Sequence, residues 1–411
     1  MTDTAHSPTD ALRTDLARFP APRAQGCPFD PAPELRAVQA RAPISRVEIW
    51  DGSTPWLVSG YHQVRALLRD PRLSAAPEHP NYPHSTPSKF MQRLAFLTMD
   101  APQHTRQRRL VTKPFSAKRI EAMRAPIQEL VDELIDRLLA GPKPVDLLEA
   151  FALPVPCTVI CQLLGIPYDD HEFFAVSAKA LISPSATRDE ALAARQGLVD
   201  YIDRLLTLRR TEPAADMLSE LANEQVATGN LTQQEATLMG VLMLLAGFDT
   251  TANTIALGVL ALTENRDQLA ALPQMQTPDE IEAAIEEILR YTAVPQGGRR
   301  RVALEDIEID GVVIRAGEGL ILAGDLANRD GSVFEGPDRL DLRRPAYKHV
   351  TFGYGPHQCL GMPLARLELQ VAIPTLFRRV PTLRRAVDLD QIEFREPGID
   401  IYGVRELPVT W

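Results

Sequence analysis

The feature that most narrows the fold is a stretch from Thr232 to past residue 260, about 33 residues without a proline, in a chain that holds 34 of them. Thr232 and Glu235 at its head form a capping-box pattern, in which a hydroxyl and a carboxylate satisfy N–H groups that have no partner within the helix. At 1.5 Å per residue such a helix spans roughly 50 Å, enough to cross a whole domain. Its longest apolar run, 238–248, is too short to span a bilayer and leads straight into Asp249.

The rest of the chain is compatible with a domain built around that helix. It has 411 residues, 45% apolar and 24% charged, an ordinary globular balance that excludes a disordered chain, a collagen and a coiled-coil rod. No repeat and no Gly/Ser linker divides it, so residues 31–411 are expected to form one large domain, preceded by a polar, proline-rich, flexible arm over residues 1–30. Helical patterns cover 61–69, 102–110, 117–139, 156–164, 169–181 and 189–210. Another runs from the Thr277-Pro278-Asp279-Glu280 cap to about 291, and a last one from just after Cys359 to about 379. A hairpin is expected over 46–59 around Asp51-Gly52, and strands over 304–323 around Asp310-Gly311. Residues 75–90, with four prolines, read as a long loop. The fold class is mainly α with small β-sheets to one side.

Composition also limits function. A net charge of −10 makes the chain a poor general binder of nucleic acid or of anionic membranes. The four cysteines, Cys27, Cys157, Cys161 and Cys359, form neither a disulfide scaffold nor a zinc spacing, and a reducing cytoplasm is the expected location. The first thirty residues hold no apolar run of the signal-peptide kind, so no membrane association is expected.

Four clusters carry chemistry. Cys359 lies in HVTFGYGPHQCLGMPLARLELQ, crowded by Gly353, Gly355 and Gly361, which permit tight turns and close approach of a large planar group. A helix starting right after it would stabilise a thiolate, the species that binds metal; the bland alternative is an inert cysteine in a glycine-rich turn. In AGFDTTAN, residues 246–253, Asp249, Thr250 and Thr251 interrupt an apolar helix beside Gly247, which suggests a local distortion or a polar pocket, or else a simple back-bonded turn. Glu287 and Arg290 share a helix face and can pair, by default as a weak surface pair. His104 and Arg108, at i and i+4, could grip an anionic group. From Arg106 to Arg124 there are seven basic residues and one acid, Glu121: a solvated helix face, or a docking site for an acidic partner.

Together and in this order, these features resemble the cytochrome P450 family of haem-thiolate monooxygenases, most closely its soluble bacterial class. Phe352, Gly355, Cys359 and Gly361 fit the family's Phe-x-x-Gly-x-x-x-Cys-x-Gly pattern, AGFDT its oxygen-activating helix motif, and EILR its Glu-x-x-Arg motif. The resemblance runs from about Pro28 to the C terminus. It implies haem b with Cys359 as the axial thiolate, which favours O–O cleavage, and Phe352, Ala246, Gly247 and Gly361 packed against the group. His104, Arg108, Arg301 and His357 would bind the propionates; at the last position many relatives have arginine. Asp249 and Thr250 would organise the protons and water of dioxygen activation. Glu287 and Arg290 would be structural. Placement suggests Leu94, Phe96, Leu242, Val294 and Ile399 for the substrate pocket, each of which could equally be core.

The resemblance further implies an enzyme that inserts one oxygen atom from O2 into a mainly apolar small organic molecule, by hydroxylation or epoxidation, in secondary metabolism or xenobiotic oxidation. Electrons would come from a separate ferredoxin or flavodoxin docking near Arg106, Arg109, Lys113 and Lys118, with NAD(P)H used only indirectly. A monomer is expected. Alternatives on the same haem are oxidative coupling, peroxygenase activity or nitric oxide reduction; from another class, a non-catalytic haem carrier or sensor.

Overall fold

In the computed structural model, residues 16–24, 26–85, 95–167, 170, 173, 177, 187–396 and 400–411 are described. The proline-free stretch forms one helix, Gln233–Glu264. Its capping box closes with the Glu235 N–H donating to the Thr232 hydroxyl at 3.1 Å and the Thr232 N–H to the Glu235 carboxylate at 2.9 Å. By length and hydropathy this helix would pass for a membrane span, but 72% of its most apolar window is buried inside the domain. Four long helices, Pro154–Leu164, Arg188–Thr211, Pro278–Thr292 and Met362–Arg379, pack around it and bury it. The AGFDTTAN segment does not break the helix. Thr250 and Thr254 return their hydroxyls to the carbonyls of Ala246 (3.1 Å) and Thr250 (2.8 Å), which satisfies both side chains without interrupting the ladder.

The helix expected over 117–139 is two, Ala117–Glu121 and Arg124–Ala140. The cause is Pro126: in a continuous helix its ring would clash with the carbonyl of residue 122, whereas in the first turn of a new helix it is tolerated. Of the 169–181 helix only isolated positions are described. The 46–59 hairpin exists as Ile44–Arg46 paired antiparallel with Trp56–Val58. The expected strand region begins earlier than its apolar pattern, because Arg299–Ala303 is already extended. These strands form a five-stranded sheet in the order Ile44–Arg46, Trp56–Val58, Gly319–Leu322, Arg299–Ala303, Leu73–Ser74. Ile307–Ile309 and Val312–Ile314 make a separate hairpin whose turn residues, Asp310 and Gly311, take φ of +50° and +77°.

The segment before residue 31 is not a loose arm where it is described. Phe19 and Phe29 are buried, the Phe19 N–H donates to the Glu48 carbonyl at 2.8 Å, and the Phe29 ring packs 5.3 Å from that of Tyr291. Residues 1–15 lie outside the described residues.

Glu287 and Arg290 are no surface pair: both are fully buried. The guanidinium forks onto the carboxylate at 2.7 and 2.9 Å and donates to the carbonyls of Asn328 and Pro337 at 2.9 and 2.8 Å. Arg344 and the Asp341 N–H complete the carboxylate's partners. This network pins the irregular 328–344 segment to the helix Pro278–Thr292 and so sets where the chain re-enters before Cys359. A buried pair of this kind is costly to break, because the remaining charge is left uncompensated.

Candidate active site

Cys359 is held by a loop that doubles back on itself. Its N–H donates to the Phe352 carbonyl at 2.8 Å, and Gly353 and Gly355 take φ of +71° and +77° to make the reversal. Gly355 also abuts the helix Tyr61–Leu68: a Cβ there would lie 2.9 Å from the Leu68 carbonyl and 3.0 Å from the Arg69 Cα. The helix Met362–Arg379 starts three residues after the sulfur. The sulfur is accessible in area yet surrounded deeply enough that burial raises the thiol pKa. The backbone N–H groups of Gly361 and Met362 and the charges of Arg299 and Arg108 act in the opposite direction and favour the thiolate.

Beside this loop the structure gathers cationic and imidazole side chains. The rings of His104 and His357 lie 4.1 Å apart. Burial, then neighbouring cations, lower the pKa of both, that of His357 to about 3, so each is neutral in the polypeptide. Among the described residues, Arg108 donates to the Gln358 carbonyl (2.6 Å) and Arg301 to the Arg300 carbonyl (2.7 Å). Arg299 was not singled out from the sequence. It shares a strand face with Arg301, two residues on, and donates to the Thr351 carbonyl at 3.2 Å. Among the described residues, no carboxylate pairs with Arg108, Arg299 or Arg301, and His104 Nε2 is buried without a partner. These cations are held by backbone carbonyls and could meet an added anion.

On the long helix, accessible surface reappears at Leu245, Ala246, Gly247 and Thr250, between stretches that are buried. Ala246 and Thr250, four apart, define that face. Gly247 also serves packing: a Cβ there would meet Ile160 at 2.7 Å, so this glycine allows the helix Pro154–Leu164 to approach closely. Asp249 points away from the accessible face into a buried ion pair that the sequence did not reveal. Arg395 forks onto its two oxygens at 2.9 and 2.8 Å, and Asn253 adds a bond at 3.0 Å. Arg395 lies 146 residues further along the chain, and no local pattern signals it. Behind Thr250, Thr251 is buried next to Glu368 of the 362–379 helix. Neither Glu368 oxygen makes a hydrogen bond of ordinary geometry, and burial raises this carboxyl well above the usual range, opposed only by the Thr251 hydroxyl.

Of the expected pocket residues, Leu94 and Ile399 lie outside the described residues. Phe96, Leu242 and Val294 are 4%, 3% and 1% exposed and belong to the main core, where helix packing claims their side chains. The basic stretch is likewise partly used within the chain. Arg106 pairs with Glu235, Lys113 lies 3.2 Å from Glu224 and 3.7 Å from Glu220, and Arg119 pairs with Glu220. Arg109 and Lys118 are exposed and have no ion-pair partner among the described residues. Arg65, on the helix Tyr61–Leu68, stacks 4.1 Å over Tyr354 at the edge of the cysteine loop.

A cysteine three residues before a helix, beside cations that have no carboxylate partner among the described residues, fits a haem-thiolate protein. Comparison with known proteins agrees. The family profile "Cytochrome P450" matches residues 169–383. Cytochrome P450 GfsF of Streptomyces halstedii is 49% identical over 416 residues, covering both chains completely. Its crystal structure superposes with a TM-score of 0.92, covering 96% of this chain and 100% of that one. The vitamin D3 dihydroxylase of Streptomyces griseolus is 43% identical over the whole of both chains. The mycinamicin VIII C21 methyl hydroxylase MycCI of Micromonospora griseorubida, in a crystal structure with mycinamicin VIII, is 40% identical with a TM-score of 0.88, covering 96% and 100%. The chain belongs to the cytochrome P450 family of monooxygenases.

The residues present fit haem: a cysteine whose sulfur faces two backbone amides and two cations, a buried imidazole nitrogen without a partner among the described residues, and three guanidiniums able to meet two propionates. The buried Glu368 gives a prediction that needs no cofactor. Burial raises this carboxyl well above the usual range in the folded protein, whereas in the unfolded chain it ionises near the ordinary value of about 4.3, so wild-type stability is expected to fall as pH rises above that ordinary value. In Glu368→Gln this dependence is absent. Urea unfolding is expected to show the variant gaining on the wild type with rising pH, by at most about 1.4 kcal/mol per pH unit; a difference constant with pH would show that Glu368 ionises normally.

Proposed function

We propose that the chain is the terminal oxygenase of a multi-component system, inserting one oxygen atom of O2 into a C–H or C=C bond of a mainly apolar secondary metabolite. The observation that carries this reading is the cysteine sulfur facing the amides at the start of a helix, with carboxylate-free cations beside it. Haem b held through Cys359 would supply an iron that activates dioxygen. His104, Arg108, Arg301 and His357 would hold its propionates, and Arg299 adds a further cation on the same strand face as Arg301. Phe352, whose carbonyl accepts from the Cys359 N–H, would pack beside the sulfur in the loaded protein. The substrate class follows from relatives such as the one crystallised with mycinamicin VIII.

Within the chain, Thr250 Oγ is the proton-bearing atom on the accessible face of the long helix. Its bond to the Ala246 carbonyl fixes the hydroxyl's direction. Asp249 supplies charge one residue earlier, held by Arg395 and Asn253 so that its orientation does not wander. Electrons would arrive from an acidic ferredoxin or flavodoxin docking near the exposed Arg109 and Lys118, with Arg65 beside Tyr354 of the cysteine loop a further candidate contact.

The decisive measurement is the spectrum of the dithionite-reduced protein with carbon monoxide. A Soret maximum displaced far to longer wavelength is expected, and Cys359→His should move it to a myoglobin-like position; a myoglobin-like wild type would overturn the assignment. Thr250→Ala is expected to retain haem and substrate binding while most reducing equivalents leave as hydrogen peroxide. Unchanged product per electron would remove Thr250 from proton handling. Arg109→Glu should slow reduction by the donor several-fold at low salt, an effect that shrinks as salt is raised, whereas Lys113→Ala, whose charge is already engaged, should matter less. Equal effects of the two substitutions would show that the internal pairs do not diminish docking.

A further inference from the structure

We infer that Arg23, far from every motif, is a positioning residue for the turns at 293–296 and 400–402, and through them sets how tightly a bulky ligand is held above the haem. The inference rests on the monooxygenase reading only in placing those turns beside the substrate.

The Arg23 guanidinium donates to three carbonyls, Phe29 at 3.1 Å, Thr292 at 3.3 Å and Ala293 at 3.0 Å. Its central carbon lies 3.9 Å from the centre of the Tyr402 ring. One planar cation thus joins the N-terminal segment, the end of the helix Pro278–Thr292 and the C-terminal turn. No carboxylate lies within ion-pair distance of it among the described residues. It is held by carbonyl dipoles and an aromatic face, which fix direction more strictly than a flexible ion pair would.

The helix end needs such a hold. Ala293 takes φ of +40°, a left-handed conformation that a residue with a Cβ adopts only when its surroundings impose it. The turn it makes delivers the Val294 carbonyl to the Tyr402 N–H at 2.8 Å and the Gln296 N–H to the Asp400 carbonyl at 3.0 Å. Between these two bonds, Pro295 and Ile401 pair as an isolated antiparallel bridge. Val294 and Tyr402 are buried, whereas Pro295 and Ile401 keep accessible surface. Arg23 therefore grips the back of a two-strand contact whose front remains open to a ligand.

The test uses the holoenzyme and two iron-binding probes: imidazole, small enough to touch little beyond the metal, and clotrimazole, bulky enough to reach the surrounding turns. Arg23→Met keeps most of the side-chain volume and removes the fork and the charge. Difference-spectrum titrations should show clotrimazole binding weakened about tenfold and imidazole binding unchanged. Hydrogen exchange should quicken at the Gln296 and Tyr402 amides and stay the same in the middle of the helix Gln233–Glu264. Tyr402→Leu, which removes only the aromatic partner, should move clotrimazole affinity and exchange in the same direction, and it keeps the question open to experiment if Arg23→Met does not fold. Equal changes for the two azoles, or unaltered exchange at both amides, would overturn the inference. Failure of imidazole to bind the wild-type protein would count against the haem assignment instead, and the exchange arm would still decide the role of Arg23.

Discussion

The chain surrounds the Cys359 sulfur with fixed positive ends, which oppose the effect of burial on its thiol. Burial alone keeps a thiol protonated, and at position 359 that tendency is countered by two amides of the following helix and by the charges of Arg108 and Arg299. Each of these groups depends on a different piece of architecture. The amides require the helix Met362–Arg379 to begin three residues after the cysteine. Arg108 requires the helix Gln103–Leu110 to end against the loop. Arg299 requires the five-stranded sheet to present alternate residues of one strand.

The same logic explains the buried charges away from the sulfur. Glu287 and Arg290 act as a fastener rather than a reactive pair, since both Nη groups of Arg290 and one carboxylate oxygen of Glu287 find partners on the segment leading back to the cysteine loop. The interior concentrates cost where position matters most: at the re-entry of the chain, at the middle of the long helix, and at the left-handed turn after residue 292. None of these charges is placed where simple hydrophobic packing would have been sufficient.

How much of this was legible in the sequence depends on the range of the interaction. Local signals read well. The Thr232–Glu235 and Thr277–Glu280 caps, the absence of proline through the long helix and the Asp310-Gly311 turn all involve residues within a few positions of each other, and the structure reproduces each. Pro126 was an available signal for the break in the 117–139 pattern. The cysteine loop was legible because its glycines and the cysteine are adjacent in sequence. What could not be read were partners brought together only by tertiary folding. Arg395 on Asp249, Glu235 on Arg106 and Glu220 on Arg119 are separated by more than one hundred residues, and nothing in their local surroundings marks them. Gly247 shows the reverse case: a motif residue whose visible duty is to let a neighbouring helix come close.

The clasp between Arg395 and Asp249 has a consequence for how the polypeptide is made. A carboxylate at the centre of the longest helix obtains its counter-charge from a segment only sixteen residues from the final tryptophan. During synthesis the counter-charge for Asp249 appears only after 146 further residues have been added, so the middle of that helix cannot be buried with its acid paired before then. Closure of the interior is therefore coupled to a distant segment, and loss of Arg395 should be felt at the heart of the domain rather than at its edge.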